Sequence, residues 1–282
     1  AIQDTTEVAY PHRKLAGIGP LSSATLTGLL WHMTLLVTPD RVPLGVWAVE
    51  TLVRQQLGRK QAGTRKREPI EEKESGRWLR GYQAACALAA QAPQTRVVSL
   101  ADREADIYEI YAEAAQAAGT AEWVADWLIR ATRERRVVVS QGGRPRALRL
   151  AVALAPVLAT GTLAVAAAPG RPAREATLTL KAVPVTLRPP SRSDRRLAPV
   201  AVTVVVAQEQ GTPPDGAPPV QWVLLTSLPV TGAADACAVV ARYAARWEIE
   251  VFFRTWKTGC RVEALRDDAR PVGAVPGPLR GA

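Results

Sequence analysis

The segment YAARWEIEVFFRTWKTG (residues 243 to 259) carries Tyr243, Arg246, Glu250 and Lys257 along one edge of a predicted helix. At about 100° per residue these four fall within roughly 60° of one another. Ala245, Ile249, Phe252, Phe253 and Trp256 form the adjoining apolar stripe, and Phe252, Trp256 and Trp247 read as packing residues. A solvated helix face mixes more charges over a wider arc. Here a carboxylate, two cations and a phenol line the border of a buried face. Two readings are open. Arg246 and Glu250 have the i,i+4 spacing of an exposed ion-pair ladder. Alternatively, the two cations belong to a site that is completed by residues elsewhere in the chain. The carboxylate beside them then needs partners. Asp4, in AIQDTT, and Asp102, in RVVSLAD, each lie at or near the end of a short apolar run that reads as a strand. Strand ends are where open sheets present ligands. Two such Asp, plus a Glu on a helix packed across the sheet, could hold two Mg2+ ions through hard oxygen ligands. Paired ions of this kind activate an attacking oxygen and stabilise a leaving one in phosphodiester chemistry. With 26 acids in the chain, three carboxylates alone are equally well read as surface charges.

The elements that must position these residues follow from periodicity. LLWHMTLLVTP (29 to 39) and PLGVWAVET (43 to 51) are strand-like runs around the turn signal Pro39-Asp40. RQQLGRKQAGTRKREPIEEKE (54 to 74) is a charged segment poor in apolar residues and reads as a basic surface loop. Residues 74 to 92 have helical spacing, 96 to 102 form a β-rich run, and READIYEIYAEAAQAA (103 to 118) reads as a helix with Asp106 and Glu109 as acids on its face. EWVADWLIRAT (122 to 132) is a buried strand candidate. From 133 to 218 the chain is rich in Pro, Val and Thr and reads as an all-β insertion with a basic loop at SRSDRR (191 to 196). QWVLLTSLP (221 to 229) returns to a strand, and residues 233 to 259 read as one long helix. This order predicts an α/β fold.

The chain has 282 residues and 48% hydrophobic composition, enough for one large domain or a domain with an insertion. Lys and Arg outnumber Asp and Glu by 36 to 26, giving a net charge of +10. That excess favours a polyanionic partner, of which nucleic acid is the usual one. A GC-rich genome would account for Arg over Lys but not for the net charge. Cys86, Cys237 and Cys260 show no CxxC spacing, which argues against a zinc site or a disulfide framework and suits a reducing compartment. His12 and His32 leave little for a histidine-based metal site. The apolar stretch 151 to 170 is interrupted by Pro156, Gly161 and Pro169, which argues against a membrane span. No signal peptide is visible. The chain opens on a strand without an initiator Met and reads as a fragment.

DREADIYE (102 to 109) resembles the second-Asp block of the DDE transposases of the IS-four family. Tyr243-x2-Arg246-x3-Glu250-x6-Lys257 matches the Y-R-E-K signature of that family in every spacing. AIQDTTEVAY (1 to 10) looks like its first-Asp block, and EKESGRWL (72 to 79) and QWVLLTS (221 to 227) look like further family segments. The resemblance runs from residue 1 to about Asp268. It implies a ribonuclease H-like mixed sheet flanked by helices, with residues 1–132 and 219–268 forming the catalytic core. A β-rich insertion would span 133–218 and an irregular tail 269–282. It implies Asp4, Asp102 and Glu250 as the catalytic, metal-binding triad for two Mg2+ ions, with Mn2+ able to substitute. The chemistry would be DNA end cleavage and strand transfer: water frees a 3′-OH, and the 3′-OH attacks the opposite strand and later the target. Tyr243, Arg246 and Lys257 would grip the terminal 5′ phosphate and the distorted end. Trp222 would stack on a flipped base, or else pack as a core residue. Arg254 and Arg130 would add phosphate contacts, although for Arg130 a structural ion pair is an equal alternative. The implied partners are double-stranded DNA of transposon ends, target DNA and a second copy of the chain, in the bacterial cytoplasm at the nucleoid, with no membrane.

Two departures from the family stand out. The chain starts at the first-Asp block, so the expectation is a fragment without the DNA-binding region that precedes this block in relatives. After Asp268 the chain reads ARPVGAVPGPLRGA, which cannot continue the family's helices. The expectation is a gene truncated or frameshifted just after Asp268, with a catalytically inactive, DNA-binding remnant as the alternative reading.

Overall fold

The computed structural model describes residues 1–10, 16–23, 25–54, 68–120, 123–139, 143–167, 170–190 and 196–264. The basic segment 55–67, most of the SRSDRR loop and the tail after 264 lie outside the described residues. β1 (Ile2–Ala9), β2 (Gly19–Pro20), β3 (Thr27–Val37) and β4 (Pro43–Leu52) are followed by α1 (Gly76–Gln91), β5 (Val98–Ala101), α2 (Tyr108–Ala118) and β6 (Asp126–Arg130). Next come β7 (Arg136–Val138), β8 (Arg146–Ala147), α3 (Leu148–Ala153), β9 (Val157–Val165), β10 (Arg174–Leu187) and β11 (Val200–Glu209). β12 (Gln221–Thr226), α4 (Ala233–Ala244) and α5 (Trp247–Arg254) complete the order.

The described strands form one mixed sheet of 12, ordered β2-β3-β1-β5-β6-β12-β11-β10-β7-β8, with β4 on β3 and β9 on β10. β1 is antiparallel to β3 and parallel to β5, and β5 is parallel to β6. From β6 outward, β12, β11 and β10 pair antiparallel. The segment read as an insertion thus extends the core sheet, and it includes the helix α3 as well as strands.

Both faces of the sheet are covered, and single residues show why. Trp127 and Ile129 pack with Trp78, Tyr82, Tyr108 and Tyr111 of α1 and α2. Leu128, between them, packs with Tyr243, Ile249 and Phe253 of α4 and α5. Side chains alternate across a strand, so a strand covered twice is apolar throughout. α1 lies close on its face because Gly81 has no side chain; a Cβ there would sit 2.1 Å from Gln3 Oε1 on β1.

Three local expectations are corrected. β1 does not stop at Asp4: its pairing with β3 runs from Ile2↔Leu35 to Ala9↔Gly28. Asp4 nevertheless lies at an edge on its other side. Ile2 pairs with Leu100, and β5 ends at Ala101, so Asp4 stands level with the point where Asp102 leaves the sheet. The helix after Asp102 begins late. The Asp102 side chain accepts the Glu104 N–H at 2.8 Å and caps a 3-10 turn, Arg103–Ala105, and α2 starts at Tyr108. The long helix is divided. Arg246 N–H bonds Tyr243 O at 3.0 Å and Glu248 N–H bonds Ala245 O at 3.0 Å, an overwound turn between α4 and α5. A π turn, Thr255–Gly259, follows α5, with Cys260 N–H on Thr255 O at 3.2 Å.

Candidate active site

Asp4 and Asp102 come from adjacent parallel strands, and Glu250 comes from the helix packed across them. Asp4 lies on the α4/α5 side, two residues from Ile2 on the same face. Arg246, in the overwound turn, points at β1. Its Nη1 donates to Asp4 Oδ2 at 3.0 Å and its Nη2 donates to Glu250 Oε1. Asp4 Oδ1 accepts the Thr5 N–H at 2.7 Å. The i,i+4 ion pair therefore forms, but as part of a bridge from helix to sheet, with Arg246 15% exposed at the side chain.

The electrostatics follow from that crowding. Burial pushes the Asp4 carboxyl up to about 6; Arg246 and the Thr5 N–H pull it down, and the negative charges of Asp102 and Glu250 push it up. Asp102 and Glu250 thus both act on Asp4. Burial disfavours the Arg246 charge, but Tyr243, Asp4 and Glu250 more than offset this and hold its pKa above the ordinary value. A carboxyl displaced this way by burial and like charge is a mark of functional sites.

The displacement has a consequence for stability. Between 3.8 and about 6 the folded chain binds the Asp4 proton more tightly than the unfolded chain. Stability therefore falls as pH rises through this window and is level above it. Asp4→Asn, which mimics the protonated form, is expected to match wild type at the acid end of the window. At neutral pH it should be more stable by roughly 2–3 kcal/mol. Urea unfolding at both pH values checks this, and equal stability at neutral pH would refute the strain on Asp4.

The residues expected to hold DNA divide into two groups. Tyr243, Arg130 and Trp222 gather beside the carboxylates. The Trp222 ring meets Tyr243 edge-on at 4.9 Å between centroids and 72°. Arg130, the last residue of β6, donates to Gln221 O at 3.1 Å and stands close enough to Tyr243 to lower the pKa of its phenol against the raising effect of burial. Among the described residues Arg130 bonds a main-chain carbonyl and the Tyr243 phenol and forms no ion pair with an acid. Trp222 is partly buried against the α4/α5 cluster. Arg254 and Lys257 lie further along, Arg254 exposed at the end of α5 and Lys257 half-buried in the π turn. Among the described residues neither pairs with Asp4, Asp102 or Glu250.

Two other expectations change. Trp247 does not pack: it is 48% exposed. It lies about 200° around the helix from Ile249, which takes the buried side. Trp256 does pack, its ring 4.6 Å from Trp31 of β3. Asp106 and Glu109 are buried rather than surface acids. Asp106 falls after the 3-10 turn and before α2. Its carboxylate accepts Tyr111 Oη at 2.9 Å, the N–H groups of Thr132 and Arg133 at 2.8 Å each, and Arg135 Nη2. His32 faces α1, on the opposite side from the carboxylates. Burial, with Arg77 and Arg80 nearby, holds its pKa down to about 3, so it is neutral.

The oxygen-only donor set suits a hard divalent cation. The cation that now lies between Asp4 and Glu250 is the Arg246 guanidinium. With it there, no group of three or more His, Cys, Asp or Glu among the described residues is gathered closely enough to hold a metal. Among the described residues no helix is long and apolar enough to cross a membrane. Set against models of known protein families, the chain matches none.

Proposed function

We propose that this chain is the catalytic core of a DDE transposase, a Mg2+-dependent enzyme that cleaves DNA ends and transfers the freed strand. The observation that carries this reading is that Arg246 joins Asp4 and Glu250, far apart in sequence, while the Asp102 charge stands near enough to Asp4 to raise its pKa. The strand order supports a ribonuclease H-like core. Three antiparallel strands, β4-β3-β1, are continued by parallel β5 and β6, with α1 and α2 as the connections. The gathering of Arg130 and Trp222 with the buried Tyr243 beside the carboxylates supports a DNA end as the substrate. Asp4, Asp102 and Glu250 would hold Mg2+, or Mn2+, which supplies activation of the attacking oxygen and charge for the leaving one. Arg246 and Arg130 would bind phosphate oxygens as forks, Tyr243 would donate its phenol proton to the same phosphate, and Trp222 would offer a π face to an unpaired base. Target DNA, a second copy of the chain and the bacterial cytoplasm belong to the same proposal.

A second reading, an inactive remnant that only binds DNA, is favoured by the Arg246 bridge, which fills the space between two of the three acids. Both readings expect DNA affinity that weakens with salt. Duplexes tiled from the DNA on either side of the coding region separate them. The expected result is Mg2+- or Mn2+-dependent nicking by wild type and none by Glu250→Ala. Equal inertness, with salt-sensitive binding kept, would overturn the enzyme and leave the remnant.

A further inference from the structure

Behind the sheet, one buried side chain contacts a residue next to Asp4 and a residue two after Asp102. Arg77, in the first turn of α1, is 6% exposed. Its Nε donates to Thr5 Oγ1 at 2.9 Å and its Nη2 to Glu104 Oε2 at 2.8 Å. Its Nη1 is held by Glu74 O at 2.9 Å. Thr5 and Glu104 are also the residues whose main-chain N–H groups bind the carboxylates, Thr5 N–H on Asp4 Oδ1 at 2.7 Å and Glu104 N–H on Asp102 Oδ1 at 2.8 Å. One planar guanidinium thus bridges the two backbone segments that aim the two acids. Its donors are set in a rigid fork, so the spacing of Thr5 and Glu104 is fixed by the geometry of the arginine. This matters because β1 and β5 stop pairing just before Asp4 and Asp102, and the ladder itself no longer fixes their separation. Thr5 is held from a second side by His32 Nδ1 at 2.9 Å.

We infer that Arg77 is a positioning residue: by clamping Thr5 to Glu104 it sets the separation and aim of Asp4 and Asp102 for a divalent cation. The inference rests on the proposed active site. It assigns Arg77 no contact with DNA or with the ion.

The test measures Mn2+ binding to the full chain by electron paramagnetic resonance, with the metal alone and no DNA. Wild type is expected to bind Mn2+, and Asp102→Asn to lose it. Arg77→Gln is expected to weaken binding about 10–100-fold, the usual effect of losing a partner that orients metal ligands, and to broaden the bound signal. Arg77→Lys, which keeps the charge and one contact, recovers part of the loss. Leu79→Ala, on the same helix and buried at 5% exposure, serves as a destabilised control that should leave affinity unchanged. Should Arg77→Gln fail to fold, Glu104→Gln removes the charge from one arm of the clamp at an exposed position and is expected to weaken Mn2+ in the same direction. Wild-type binding that Arg77→Gln and Glu104→Gln leave intact, or that Leu79→Ala weakens equally, overturns the positioning role alone. A wild type without Mn2+ binding overturns the active-site reading and this inference with it.

Discussion

Arg246→Ala is expected to move two affinities in opposite directions, strengthening metal binding and weakening DNA binding. The same guanidinium pairs with Asp4 and Glu250 and, in the proposed function, is also a fork for a phosphate. It cannot do both at once. A divalent ion approaching the carboxylates competes with it, and a phosphate that engages it leaves the carboxylates to the ion. Removing the side chain relieves the metal of its competitor. Couplings of this kind are about 1–3 kcal/mol, or roughly 5–150-fold, and Mn2+ affinity without DNA should rise by a factor in that range. The lost charge-assisted bond to phosphate is worth about 1.5–3 kcal/mol, so affinity for duplex DNA in chelator should fall by more than tenfold. In wild type, metal and DNA should each tighten the other, whereas in Arg246→Ala that mutual effect should vanish. Arg246→Lys keeps the charge without the fork and should fall between. Titrations of each ligand with and without the other measure all of this. Metal affinity unchanged by Arg246→Ala would mean that the arginine is not in competition.

Asp106→Ala is expected to cost about 3–5 kcal/mol of stability, the usual consequence of removing one partner of a buried ion pair. The carboxylate is fully enclosed, and its loss leaves the buried Arg135 without its counter-ion. It also leaves the Tyr111 hydroxyl and the N–H groups of Thr132 and Arg133 without their acceptor. Domains of this size are stable by only about 5–15 kcal/mol, so the change takes a large share of the total. It should appear as a lower urea midpoint with an unchanged slope. Asp106→Asn keeps the shape but lacks the charge and should also be destabilised. A midpoint within experimental scatter of wild type would show that the network does not hold the turn after Asp102 to the end of β6.

Much of this was legible from pattern. β6 reads DWLIR, apolar on both faces, and it is covered on both faces. The edge Tyr243–Arg246–Glu250 does turn toward a second carboxylate. Other features have no local signature. Nothing in AARWEIE marks a break, since neither Pro nor Gly occurs there; the overwound turn coincides with the packing of Tyr243 on Trp222 and the pull of Asp4 on Arg246. Asp106 stands four residues after Asp102, the spacing of a helix face. Capping by Asp102 delays the helix, and the donors that enclose Asp106 lie some thirty residues away in the chain. Trp247 looks like core by type, yet Ile249 and Phe253 already fill the buried stripe. Arg77 sits in a segment singled out for its resemblance, but its two contacts join residues 72 and 27 positions away.

The two irregular turns that bracket α5 differ in sense, the first wound tighter than an α-helix and the second looser. Between them lie the eight residues Trp247–Arg254 of α5. The first turn advances Glu250 relative to Tyr243, and the second gives back rotation so that Trp256 still meets Trp31. The direction in which Glu250 points is thus set by how tightly the chain is wound before α5, as well as by where α5 lies on the sheet.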